Sequence, residues 1–97
     1  MLAPDYELAA GYGYVVKDIV YLPEAQKSLR RMPANMAVRI RGKIQAYAAN
    51  PASQASNIKA MADGVSIRLR VGDWRVIMRD YEVLEVSNVG PRGSIHD

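Results

Sequence analysis

The sequence predicts an α+β domain of order β-α-α-β-β-β: an antiparallel sheet with a two-helix hairpin packed on one face. Three observations predict it. Apolar residues recur at spacings of three and four between positions 22 and 48, they alternate with polar ones from Val65 onward, and Gly72-Asp73 separates two alternating runs where a two-residue hairpin turn belongs. A helical hairpin followed by a run of strands is the pattern of an α+β fold.

Residues 1–14 (MLAPDYELAAGYGY) hold no sustained period and read as an N-terminal extension, leaving residues 15–97 as a single domain. Val15 to Tyr21 (VVKDIVY) is rich in β-branched residues and reads as a strand. Pro23 sits where a first helical turn tolerates proline, with Glu24 beside it to complement the helix dipole. Leu22, Ala25, Leu29 and Met32 form the apolar stripe of this helix, and Pro33 breaks it. Asn35 is a candidate N-cap for a second helix with Met36, Ile40, Ile44, Tyr47 and Ala48 on its buried side. Asn50-Pro51 stops that helix, because the residue before proline is pushed out of the helical region. Residues 51–64 are small and polar and read as the longest loop of the body.

From Val65 the period is two. The Gly72-Asp73 turn sets the register by arithmetic: Val71 faces Trp74, Arg70 faces Arg75, Leu69 faces Val76 and Arg68 faces Ile77. Ile67, Leu69, Val71, Trp74, Val76 and Met78 then share the face the helices cover. Ser66, Arg68, Arg70, Arg75, Ile77 and Arg79 share the other. A loop at Asp80-Tyr81-Glu82 leads to a last strand with Leu84 and Val86 facing the core and Glu85 and Ser87 joining the arginine face. Gly90-Pro91 and Gly93 read as turn residues before a short polar tail.

The chain has 97 residues, no cysteine and one histidine. This excludes disulfides and thiolate zinc sites and speaks against a His-based metal site; no metal or cofactor is expected. No apolar run reaches the roughly 18 residues of a membrane span, and the N-terminus has no basic segment leading into an apolar one. The expected location is the cytoplasm. Thirteen Lys and Arg against ten Asp and Glu give a net charge of +3. The excess sits in residues 22–49, where Lys27, Arg30, Arg31, Arg39, Arg41 and Lys43 stand against Glu24 alone. Such a basic middle suits a polyanion or an acidic protein partner, or else serves as a solvated face.

The arginine face carries the candidate chemistry. Like charges opposite each other on a sheet repel, so Arg70 and Arg75 need an offset. Glu85 and solvent are one source, and a bound anion is another. Guanidinium groups grip phosphate bidentately and stabilise charge developing on it. An RNA strand is the natural ligand, because its 2′-hydroxyl is an internal nucleophile and cleavage then needs only positioning, charge stabilisation and proton transfer. Two readings of His96 stand: a general acid for a leaving 5′-oxygen, or a solvated residue one step from the C-terminus.

The run IKAMADGVSIRLRVGDWRVIMRDYEVLEVSNVGPRGSIHD, with VSIRLRVGDWRVIM as its specific part, resembles the carboxyl half of the RelE/ParE toxin superfamily. That family's pattern is (Y)RLRVGDYRVIY, an alternating strand, then VGHRREVY. The upstream LRRMP and NP fit its helical hairpin, so the resemblance spans residues 15–97. Members are toxins of bacterial toxin–antitoxin pairs. The RelE-like branch cleaves mRNA in the ribosomal A site by 2′-hydroxyl attack, and the ParE-like branch inhibits DNA gyrase without the catalytic set. The resemblance, with the RelE-like branch favoured, implies an mRNA endoribonuclease whose partners are a cognate antitoxin, the ribosome and mRNA. The alternatives it leaves are gyrase inhibition and a degenerate member that only binds antitoxin.

Carried over residue by residue, the resemblance puts Arg68 near the scissile phosphate and Arg75 on it. Arg92 stabilises the transition state, and His96 stands where a C-terminal Tyr or His stacks or transfers a proton. Lys59, Arg70 and Arg79 are expected to bind RNA. The sequence departs from the pattern at Ser66, which stands in for a basic residue that is the usual candidate base, and at Pro91, Gly93 and Ser94. The base is then Lys59 or His96, since an arginine holds its proton too tightly. Arg30, Arg31, Arg39 and Arg41 on the helices favour an acidic antitoxin segment, steering it by charge.

Overall fold

The structure, a computed structural model, describes residues 16–94. The expected extension over residues 1–14, Val15 and the tail bearing His96 lie outside the described residues. Five strands and two α-helices follow in the order β1 (Ile19–Tyr21), α1 (Pro23–Arg31), α2 (Ala34–Ala49), a 3-10 helix (Pro51–Asn57), β2 (Ile58–Ala60), β3 (Ile67–Val71), β4 (Trp74–Asp80) and β5 (Leu84–Pro91). The sheet order is β1-β5-β4-β3-β2. The α+β class holds, and α1 lies along β5 while α2 reaches β3 and the 3-10 helix.

The sheet differs from the expected antiparallel one in two particulars. β1 runs parallel to β5, with Ile19 beside Leu84 and Tyr21 beside Val86, so the sheet is mixed. Leu22 N–H donates to Val86 O at 2.9 Å and Leu84 N–H to Asp18 O at 2.8 Å. The polar stretch after Pro51 is no open loop: it forms the 3-10 helix and then β2, antiparallel to β3. The first strand also starts later than expected, at Ile19.

Proline sets the helix boundaries. Pro23 occupies the first turn of α1, and Arg30 and Arg31 in its last turn complement the helix dipole. Pro33, and not Asn35, is the N-cap of α2, its carbonyl accepting from Met36 at 3.0 Å and Ala37 at 3.1 Å. The ring already holds φ at −55°, so the cap forms without a side-chain acceptor. Asn50 ends α2 in an extended conformation ahead of Pro51, as expected.

The β3–β4 register is the expected one, residue for residue, through Gly72 at φ +58°. The helices cover Leu69, Val71, Val76, Met78, Leu84 and Val86, all at most 2% exposed, with Ala25, Leu29, Ile40 and Ile44. Burying each Leu, Ile or Val contributes roughly 1.5–3 kcal/mol. Two details differ on β5. The turn into it is Tyr81-Glu82-Val83, since Asp80 already pairs with Leu84. Ser87 is a bulge: Met78 pairs with Val86 but Ile77 with Asn88, and Ser87 Oγ donates to Ile77 O at 3.1 Å. The bulge shifts the alternation by one, so that Val89 joins the core. Gly90 and Pro91 then remain in the strand, and the turn comes at Arg92 and Gly93, the latter at φ +94°.

Candidate functional site

At the end of the sheet where β3 turns into β4 lies a cleft of about 540 Å³. Arg39 and Lys43 of α2 form one wall; Arg70 and Arg75 from the hairpin and Arg92 from the end of β5 form the other. Gly72 and Asp73 lie at the turn between them, and Asn57 closes the side toward the 3-10 helix. Among the described residues, five cationic side chains stand there against the single carboxylate of Asp73, a balance that suits an anion.

Local structure explains the convergence. Arg70 and Arg75 are cross-strand partners in the two-residue hairpin, which sets them on one face next to the turn. Arg92 arrives because its backbone N–H donates to Asp73 O at 2.7 Å, tying the end of β5 to the turn. Arg39 and Lys43 are one helical turn apart on α2. The Arg39 guanidinium lies against the turn, its Nη1 3.5 Å from where a Cβ on Gly72 would stand. Among the described residues the Arg70–Arg75 repulsion is met by neutral acceptors: Arg70 Nη2 donates to Asn57 Oδ1 at 3.2 Å, and Arg75 Nη1 to Gly72 O at 3.1 Å and Trp74 O at 3.0 Å. These bonds orient the two guanidinium groups and leave their charge unbalanced.

The expected arginine face is divided. Arg70, Arg75 and Arg92 meet in the cleft just described. Lys59 and Arg68, cross-strand neighbours on β2 and β3, line an adjoining cleft of about 250 Å³ that shares Asn57 and Arg70 with the first. Arg79 lines neither cleft; it stands opposite Glu85 on β5, close enough to Asp63 for its charge to act on that carboxyl. Ser66 and Ile77 are buried. Ser66 Oγ donates to Asp63 Oδ2 at 2.7 Å, so this departure from the family pattern holds a loop together. His96 lies outside the described residues.

The arginines of the helices do not share one face. Arg39 borders the cleft, the Arg41 guanidinium lies over the Tyr21 ring at 4.8 Å from its centre, and Arg31 borders a smaller groove with Met32 and Trp74. Sequence reasoning missed Arg39 and Lys43 as site residues. The signal was present: α2 holds no acidic residue to pair with them. Among the described residues no helix is long and apolar enough to cross a membrane.

A mixed five-stranded sheet under a helical hairpin, with a basic cleft at its end, defines an α+β protein. Its architecture is the RelE fold. The chain matches the crystal structure of an archaeal RelE–RelB complex from Pyrococcus horikoshii OT3 with a TM-score of 0.67 and 22% identity, over 84% of this chain and 100% of that one. It also matches the toxin–antitoxin complex RelBE2 from Mycobacterium tuberculosis with a TM-score of 0.58 and 15% identity, over 80% of this chain and 100% of that one. No protein-family profile and no curated protein matches the sequence.

Proposed function

We propose that the chain is the toxin of a toxin–antitoxin pair and cleaves mRNA on the ribosome, with an antitoxin protein as its controlling partner. The observation that carries this reading is the meeting of Arg70 and Arg75, from two paired strands, with Arg92, from the turn after β5, in one cleft. The complexes of similar fold, RelE–RelB and RelBE2, support the antitoxin.

In this reading the 2′-oxygen of the substrate bonds to the adjacent phosphorus while the bond to the 5′-oxygen breaks. The products are a 2′,3′-cyclic phosphate and a 5′-hydroxyl. A base takes the 2′ proton and an acid returns one to the 5′-oxygen. Arg75, its Nη1 held by the turn carbonyls, has its remaining donors for the phosphate, and Arg92 adds a second cation to the developing charge. With Lys59 as the base, His96 is the acid; with His96 as the base, solvent returns the proton to the 5′-oxygen. Free RNA is a poor substrate, because so few contacts do not order a flexible strand and the ribosome supplies that order.

Primer extension on cellular mRNA after induction, beside a gyrase supercoiling assay, tests the reading. Wild type gives discrete cleavage ends, and Arg75→Ala or Arg92→Ala lowers their rate roughly a hundred- to thousandfold. Inhibited supercoiling with intact mRNA moves the protein to gyrase inhibition and ends the nuclease reading.

A further inference from the structure

Two features of the cleft go beyond a site for one phosphate. A phosphodiester carries one charge and offers two non-bridging oxygens, which Arg75 and Arg92 already satisfy with paired donors. Arg39 and Lys43 are therefore surplus to the reacting centre. Their arrangement is also unfavourable without a ligand. They form a like-charge pair four residues apart on a helix, where such pairs repel, and α2 contains no Asp or Glu to relieve them. Both residues are exposed.

We infer that Arg39 and Lys43 form a second phosphate subsite, holding the backbone of the same RNA strand next to the reacting phosphate. The inference rests on the nuclease reading above. Four residues of helix rise about 6 Å, so the two cations grip one phosphate from neighbouring turns. The Gly72 turn separates this pair from Arg75. The bound strand thus passes between α2 and the hairpin, and α2 is part of the substrate-binding surface. Binding at a flanking phosphate acts on ground state and transition state alike, so it enters KM and leaves kcat alone.

The test is the double variant Arg39→Ala/Lys43→Ala, checked for folding by its thermal melt, beside the charge-keeping Arg39→Lys/Lys43→Arg. On programmed ribosomes the alanine pair is expected to raise KM about tenfold with kcat within twofold of wild type, and the charge-keeping pair to restore KM. With a short RNA made uncleavable by 2′-deoxy nucleotides, the slope of log affinity against log salt is expected to fall by about 0.7, the share of one phosphate on a single strand. An unchanged slope and KM, with Arg75→Ala still abolishing cleavage, overturns the subsite and spares the nuclease reading. Cleavage indifferent to Arg75→Ala overturns the reading beneath it. Loss of antitoxin affinity with KM and slope unchanged assigns the pair to a protein partner and overturns the subsite.

Discussion

The Tyr47 hydroxyl donates to Asp80 Oδ2 at 2.8 Å, and so joins the last turn of α2 to the end of β4. Lys17 closes on the other oxygen of the same carboxylate and on the Tyr81 carbonyl. Burial pushes the Asp80 carboxyl up, but hydrogen bonds from Lys17 and Tyr47, with the Lys17 charge, outweigh it and hold the group below its ordinary value. Burial, then the bond and charge of Asp80, push Tyr47 up to about 12.

Tyr47→Phe is expected to cost about 1.5–3 kcal/mol in urea unfolding at neutral pH, the loss of one bond to a charged acceptor. Because the folded tyrosine titrates above its unfolded value of 10.0, its contribution is whole below pH 10 and is lost as pH rises through about 12. The gap in urea midpoint between wild type and Tyr47→Phe should therefore close over that window. A gap that stays constant to pH 12 contradicts the assignment.

Asp63 caps the loop before β3. Its carboxylate accepts from the backbone N–H of Ser66 at 2.8 Å and Val65 at 2.9 Å and from the Ser66 hydroxyl, and these bonds lower it from 3.8 to about 2. Its contribution is present above pH 3.8 and is lost as pH falls through about 2. Asp63→Ala should unfold at lower urea than wild type at neutral pH, and the two midpoints should converge in that acid window. Equal midpoints at pH 7 would dismiss the cap.

Gly72→Ala should cost about 1 kcal/mol or slightly more, because a side chain at φ +58° is strained even though Arg39 lies at ordinary contact distance. Gly72→Asn should cost less, since asparagine tolerates this region. Thermal melts rank the three proteins. An alanine variant as stable as wild type would mean the turn relaxes.

His96→Ala should remain folded and bind antitoxin while losing roughly a hundredfold in mRNA cleavage, the share of a general acid. Single-turnover cleavage on ribosomes measures it, and a wild-type rate removes His96 from the chemistry.

The parts of the fold that periodicity and turn chemistry encode were legible in the residues. Gly72-Asp73 sets the whole β3–β4 register, and Ala25, Leu29, Ile40 and Ile44 lie where the helical stripes put them. The parallel pairing of β1 was not legible, because alternation names a strand's faces and not its neighbour. β2 hid in a polar stretch where Ile58 and Met61 are the large apolar residues and show no alternation, and its pairing to β3 is backbone work. The bulge at Ser87 was written only as the three-residue step from Val86 to Val89. Arg70, Arg75 and Arg92 could be grouped by register and resemblance, whereas Arg39 and Lys43 sit on the solvent side of a helix. Which neighbour walls off that side depends on how α2 lies on the sheet, a tertiary fact.

Both outer strands of the sheet, β1 and β2, are three residues long. An unpaired ladder of that length runs only about 10 Å, too short to template a strand from another molecule. β2 also carries Lys59 at its centre, a charge that two such edges would have to bring together. A sheet with long bare margins would stack edge to edge into aggregates. These short margins leave a second copy of the sheet little backbone to pair with, so the same fold that builds the cleft also guards its own edges.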